Sequence, residues 1–440
     1  MENIHKNILH LEPSRGLLND PNGLVQFNGK YYVFHQWNRF GLDHSYKEWG
    51  LFTSCDLLHW EHEGSAILPD SLFDKDGVYS GSATVKDNQL HVFFTGNSKQ
   101  NGQRKSYQRQ AVSDGNFKLI KKKKGLEPPD EFTEHFRDPY IMKNNGEWQM
   151  LLGAQTKKHQ GAIAIYTSSD LNKWYYRGIY FDDPVLDQMC ECPNLVDFGE
   201  EKVLLVCPQK RQFAPDKDIS SYSGYFIGRQ NKYRFLPETR IQKLDHGFDF
   251  YAPQVFTDDK GRKIMYAWMS RMSEKQELQC PTREYGYIHC LTLPKELILK
   301  NGQLYQKPLE EYRNAAKLER HFRGRKFEFQ MSTDFEIYEM EPSDSNFKID
   351  LCNKNIIIEY QNGQLLLKRT DWSSDNYEQK KIEISTINNL SIYCDRSAIE
   401  IFINDGQAVM SARYFCFEKE RKNTFSSNLD FNLNISRLKI

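Results

Sequence analysis

No stretch of this 440-residue chain approaches 18 uncharged apolar residues, so no part of it reads as a membrane-spanning helix. The opening MENIHKNILHLEP also lacks the apolar run and small-residue cleavage site of a secretory signal. The expectation is a soluble, unexported protein. Net charge is missing too: Lys+Arg and Asp+Glu stand at 59 each, which excludes general attraction to nucleic acid or to an anionic membrane. The one basic run, Lys121 to Lys124, lies between strand-like segments and reads as a solvated loop. Nine cysteines, an odd number at irregular spacing with no CxxC pair, argue against a disulfide framework and a zinc site and fit a reducing cytoplasm. A Gly-x-Ser-x-Gly elbow, a Walker loop and the alternating acids of a calcium loop are all absent.

What is abundant is aromatic: 24 Tyr, 28 Phe and 7 Trp can build a core and still leave rings for a binding cleft. The length exceeds what a single core usually supports, so two domains are expected.

A turn followed by an apolar strand recurs along the first part of the chain. It begins at FNGKYYVF (Phe27), DNQLHVFF (Asp87), NNGEWQML (Asn144), GEEKVLLV (Gly199) and DKGRKIMYAW (Asp259), at spacings of 60, 57, 55 and 60 residues. A second echo, TSCDLLHW at 53–60 and TSSDLNKW at 167–174, lies two periods apart. Helix-period patterning is almost absent, so units of this length, each holding several short strands, predict propeller blades. Five of them fill the region up to about residue 300.

Six to ten residues before each turn stands a polar residue among apolar neighbours: Asp20 in LLNDPNG, Ser80 in VYSGSA, Asp138 in HFRDPYI, Glu191 in CECPNLV and Asp249 in DFYAPQV. If this segment is the innermost strand, three carboxylates and Asp249 converge in the central channel. The plain alternatives are a surface turn for Asn-Asp-Pro-Asn-Gly, an ion pair with Arg137 for Asp138, and a structural carboxylate for Glu191. Convergent carboxylates without His/Cys ligand spacing suggest acid/base chemistry at a glycosidic centre, with metal binding as the rival. From about Lys317 the repeat stops, and IDLC, NIIIEY, QLLLKR, LSIYCD and AIEIFIN alternate as in a β-sandwich.

LLNDPNGL, FRDPYI and CECPNL resemble the three acidic motifs of glycoside hydrolase family 32, the invertase, inulinase and levanase family. YSGSA, DFYAPQ, AWM and the C-terminal IEIFINDG are similar as well, so the resemblance covers almost the whole chain. It implies an all-β fold, a five-bladed propeller over 1–312 and a β-sandwich over 313–440. It further implies Asp20 as nucleophile, Asp138 as transition-state stabiliser and Glu191 as acid/base, with no metal and no cofactor. Asn19, Gln36, Trp49, Tyr79, Ser80, Arg137, Asp249 and Trp268 fall where similar proteins bind the sugar. For these roles Glu191 should have its pKa raised by burial and neighbouring acids, Asp20 should stay ionised, and Arg137 should hold Asp138 anionic. Retention places the two working carboxyls about 5–5.5 Å apart.

Many family members carry Trp-Met before Asn-Asp-Pro, where this chain has Leu17 and Leu18. FNGKYYVFHQWNRFG, YKEWG, TEHFRDPYI, GAQT and HCLTLPKEL are similar to the bacterial branch that hydrolyses sucrose 6-phosphate, which agrees with a cytoplasmic location. A phosphate needs cations, and the candidates are Lys47, Lys210, Arg211, Arg271 and Arg283. CPQKRQF departs from that branch's pattern, which leaves free sucrose or a short fructo-oligosaccharide open as the substrate. Fructosyl transfer and a catalytically inactive sugar-binding propeller also stay open at this point, as does the choice of monomer or homodimer.

Overall fold

The computed structural model describes residues 3–114, 117–123, 125–209, 222–332, 334–342, 346–374 and 376–438. Five antiparallel sheets form a five-bladed β-propeller, and a C-terminal all-β sandwich follows. By compactness the described residues fall into two units. One comprises Gly16–Lys243 with Tyr251–Trp268, and the other comprises the residues up to Arg15, Leu244–Phe250 and the residues from Met269 onward.

In the first blade Gly16–Phe27, Lys30–Asn38, Glu48–Ser54 and Glu61–Ile67 pair in that order. Blade two takes Val78–Lys86, Gln89–Gln100, Gln103–Ser113 and Leu119–Lys121, and blade three Phe132–Asn144, Glu147–Thr156, Gly161–Ser168 and Tyr175–Phe181. Blade four is built from Met189–Phe198, Glu201–Gln209, Gly224–Asn231 and Arg234–Pro237, and blade five from Phe250–Thr257, Lys263–Met269, Lys295–Lys300 and Gln303–Pro308.

The turns that mark the sequence repeat join strands one and two of every blade. Asn28-Gly29, Asp87-Asn88 and Asn145-Gly146 hold both central residues at positive φ, the conformation whose twist suits a two-residue hairpin. The second echo is equally physical. Ser54 and Ser168 each accept from the backbone N–H three residues on at 2.9 Å, and Leu57 and Leu171 take matching φ values of 65° and 67°. Burial explains the order of strands within a blade. Gly161–Ser168 is buried at every position, whereas the outer Glu61–Ile67 and Tyr175–Phe181 alternate with solvent.

The blades are tied together around the centre by side chains that follow each bulge. Asn22 accepts from Gly81 N–H of blade two at 3.2 Å, and Ser82 donates to Pro139 O and accepts from Ile141 N–H of blade three. Asn194 of blade four donates to Pro253 O and accepts from Val255 N–H of blade five. Gln254 closes the ring by accepting from Leu24 N–H of blade one and donating to Gly81 O. Strand-edge groups that would otherwise be buried without partners are thereby satisfied.

In the second unit the 17-residue strand Lys422–Leu438 pairs with Phe347–Leu351 through its first half and with Glu336–Glu341 through its second. Both layers of the sandwich therefore share one strand, and Ile349, Ile358, Leu367, Ile392, Ile401, Met410, Phe425 and Leu433 fill the space between them. Ala398–Ile403 and Ala408–Arg413 are buried on both faces. Their inner face joins the apolar core, and their other face carries Glu400, Ser411 and Arg413 in an ionic network. Glu400 receives Lys295 at 2.6 Å and Leu293 N–H at 2.6 Å, while His10 bridges Asp395 at 2.9 Å and Glu400 at 3.3 Å. Paired this closely, the buried charges retain partners in place of water.

Asp249 belongs to this network, which corrects the expectation that it lines the channel. It is fully buried, accepts from Arg413 N–H at 2.7 Å and forms an ion pair with Arg369. No helix among the described residues is long and apolar enough to cross a membrane, and all nine cysteines are free.

Candidate active site

Asp20, Ser80, Asp138 and Glu191 lie at or directly beside a register break between the first and second strands of blades one to four. Asn19 and Asp20 together oppose Gln36, Ser80 is the extra residue before Gly81, Asp138-Pro139 oppose Leu152, and Cys192-Pro193 oppose Val206. An extra residue breaks the strict alternation of a strand and re-aims the side chains beside it. The Asn-Asp-Pro-Asn-Gly segment is thus a bulged strand and not a surface turn. Its Gly23 sits at φ +53°, and a Cβ there would lie 2.8 Å from the Phe34 ring and 2.9 Å from Trp49.

Asp138, Cys192 and Ala252 hold φ of 63°, 47° and 49°, each directly before a proline. Left-handed backbone at a non-glycine residue costs about 1 kcal/mol or more, and a following proline further restricts it. The strain has a visible result: Cys192 N–H points at Asp138 Oδ2, 3.0 Å away.

Aligned on the bulge, the five blades read Asn19-Asp20-Pro21, Tyr79-Ser80-Gly81, Arg137-Asp138-Pro139, Glu191-Cys192-Pro193 and Tyr251-Ala252-Pro253. Glu191 therefore occupies the position of Arg137 and Tyr251, one residue ahead of Asp20 and Asp138. The expectation of acids returning at one phase is corrected to two adjacent phases. The same alignment reveals a residue that the polar-residue criterion passes over. Tyr251 donates to Glu191 Oε2 at 2.7 Å.

Three acids meet here. Ser80 Oγ donates to Asp20 Oδ2 at 2.6 Å and accepts from Gln36 Nε2 at 2.5 Å, so three of the expected residues form one chain. The recess pushes the Asp20 carboxyl up from its ordinary pKa, with the Glu191 charge adding to the rise; the Ser80 bond and the Lys47 ammonium oppose it. Asp138 is buried and its pKa is pushed up to about 7, first by desolvation and then by Glu191 and Asp20, against the pull of Arg137 and the Cys192 N–H. Arg137 directs its fork at Glu191 Oε1, at 2.6 and 3.2 Å, and stands 4.0 Å from Asp138. This reverses the expected pairing: with its short bonds on Glu191, Arg137 does not outweigh the burial of Asp138. Thr95 Oγ1 accepts the Asp138 N–H at 3.0 Å, and His135 lies 3.4 Å from the Arg137 guanidinium.

The raised Asp138 carries a stability consequence. Between the ordinary value of 3.8 and about 7 the folded chain keeps a proton that the unfolded chain has released, so stability falls as pH rises through that window. Asp138→Asn keeps the acceptor for Cys192 and removes this cost. Its melting temperature is expected to exceed the parent's by about 2–4 °C near pH 8 and to match it near pH 3. Calorimetry at both pH values checks this, and an equal or lower midpoint near pH 8 contradicts it.

The other expected residues divide. Asn19 accepts from Lys47, whose ammonium also lies 3.0 Å from His44 Nδ1, and the His44 ring meets Trp268 edge-on at 6.3 Å. His44 carries no repeat signal and was not legible in the sequence. Tyr79 accepts from Trp49 Nε1 through its carbonyl at 3.0 Å and takes Arg104 over its ring. Trp49 is 0% exposed and packs against Phe34 and Phe94, so its assignment to the sugar surface is corrected to a core position. Of the phosphate candidates, Lys47 stands among the acids' neighbours. Arg271 is half-buried in the second unit, where its N–H donates to Asp249 O at 3.0 Å, and Arg283 is half-buried in the short helix Pro281–Tyr285. Lys210 and Arg211 lie outside the described residues.

Known proteins resemble this chain over nearly its whole length. The chain is 36% identical over 451 residues to the sucrose-6-phosphate hydrolase of Bacillus subtilis strain 168, covering 98% of this chain and 93% of that protein. The structure of sucrose-6-phosphate hydrolase from Lactobacillus gasseri superposes with a TM-score of 0.88 at 30% identity, over 99% of this chain and 94% of that one. The Bombyx mori GH32 β-fructofuranosidase shares the fold with a TM-score of 0.86 at 24% identity, over 100% of this chain and 95% of that one. Residues 10–308 match the glycosyl hydrolases family 32 N-terminal domain and residues 298–440 the family 32 C-terminal domain. The chain is an enzyme of glycosyl hydrolase family 32.

Proposed function

We propose that this enzyme hydrolyses the β-fructofuranosyl bond of sucrose 6-phosphate by double displacement, with Asp20 as nucleophile and Glu191 as acid/base. The observation that carries the reading is the meeting of Asp20, Asp138 and Glu191 at the bulged inner strands of three blades, with Arg137, Tyr251, Ser80 and Gln36 orienting them.

Asp20 attacks the anomeric carbon of the fructosyl unit while Glu191 passes a proton to the leaving glycosidic oxygen, giving a fructosyl ester and free glucose 6-phosphate. Glu191 then takes a proton from water as that water attacks the ester, returning Asp20 and releasing fructose. Glu191 accepts from Arg137 and Tyr251, which fix the orientation of its carboxyl. Asp138 binds sugar hydroxyls while oxocarbenium charge develops.

The phosphate assignment is supported by the relatives from Bacillus subtilis and Lactobacillus gasseri, whose printed names state that substrate. A charge-assisted bond to phosphate contributes about 1.5–3 kcal/mol, so kcat/KM is expected to be about 10- to 100-fold higher on sucrose 6-phosphate than on sucrose. Steady-state kinetics on the two sugars checks this. Equal values remove the phosphate and leave sucrose as the substrate, and a product profile at high sucrose reads out any fructosyl transfer.

A further inference from the structure

We propose that Lys47 is a positioning residue for Asp20, setting a fixed ammonium beside the nucleophile, and that it does not read the phosphate of the substrate. The inference rests on Asp20 being the nucleophile. Lys47 directly precedes the third strand of blade one, and its carbonyl accepts from Val78 N–H of blade two at 2.9 Å, so its backbone is anchored to two blades. The residue is only 8% exposed. Its Nζ donates to Asn19, the residue next to Asp20, and lies 3.0 Å from His44 Nδ1.

An ammonium this deep keeps its charge only beside compensating negative charge. Neither the Asn19 amide nor the His44 ring supplies it, whereas the Asp20 carboxylate does. The converse also holds. Asp20 faces Glu191 and Cys192 of blade four and Asp138 of blade three, while Arg137 between those acids aims at Glu191. The positive charge felt by Asp20 comes from Lys47 and His44 on its own blade. A cation already bonded inward to Asn19 and His44 is poorly placed to supply free N–H groups to a phosphate.

Lys47→Met and Lys47→Arg, assayed on both sucrose and sucrose 6-phosphate across pH, test this. For Lys47→Met, kcat is expected to fall about tenfold or more, in equal proportion on both sugars, and the acid limb of kcat/KM to move up by about one pH unit. Lys47→Arg should restore most of the rate and the original limb. A loss confined to KM for sucrose 6-phosphate, an acid limb that does not move, or failure of the Arg variant to rescue overturns the proposal. Melting temperatures are measured alongside, and if Lys47→Met does not fold, Lys47→Gln is read by the same criteria. Failure of the underlying reading is distinguishable, because Asp20→Ala would then keep its activity.

Discussion

Replacing Asp20 by Ala is expected to lower kcat by about four orders of magnitude or more, with the protein still folded. Without that carboxylate no fructosyl ester forms, and Glu191 is left to protonate a leaving group that nothing displaces. The loss should appear in kcat and kcat/KM together, because the interaction exists only on the way to the transition state. The variant should still fold, at a lower melting temperature than the parent. Burial raises the Asp20 pKa, so the carboxyl is held at some cost, while its removal leaves the Ser80 hydroxyl to find another acceptor and takes the compensating charge from the Lys47 ammonium. Fructose release and a melting curve on the same preparation check both halves. Activity within tenfold of the parent would reject Asp20 as nucleophile.

Glu191→Ala is expected to cost about 10²- to 10⁴-fold in kcat, the usual range for a general acid/base. The size of the loss should depend on the leaving group. A fructoside whose leaving group departs without protonation needs no acid in the first step, so its ester forms at nearly the parent rate and then waits for a base. The variant also frees Arg137, which loses its 2.6 Å bond and has Asp138 as its nearest remaining carboxylate at 4.0 Å. The pKa of Asp138, pushed up to about 7 in the parent, should drop in consequence. Rates on sucrose and on an activated aryl fructoside separate the two effects. An equal loss of kcat/KM on both, which reports ester formation alone, would contradict acid catalysis by Glu191.

The propeller was legible because its signals are local and repeated. Asn28-Gly29, Asp87-Asn88 and Asn145-Gly146 announce hairpins at a fixed period, and Ser54 and Ser168 build the same turn two blades apart. Asp20, Asp138 and Glu191 stood out because an acid among apolar neighbours is costly without a task. The details that escaped depend on a single residue of register. A bulge shifts which of two adjacent side chains faces the centre, so Tyr251 rather than Asp249 proves to be the blade-five residue that reaches Glu191. Trp49 reads equally well as core or as sugar platform, and only packing decides between them. His44 has no periodic signal, and its place beside Lys47 comes from the path of a loop. The preference of Arg137 for Glu191 over its chain neighbour Asp138 was also hidden, because it joins residues on different blades.

In the proposed double displacement Asp20 carries the fructosyl group between the two chemical steps. Glu191→Ala, incubated with an aryl fructoside, quenched in acid, digested and weighed, tests it directly. A mass increment of one fructosyl residue on the peptide containing Asp20 is the expected result. A quenched enzyme that releases free fructose yet carries no adduct, or carries it on Asp138, would contradict the account.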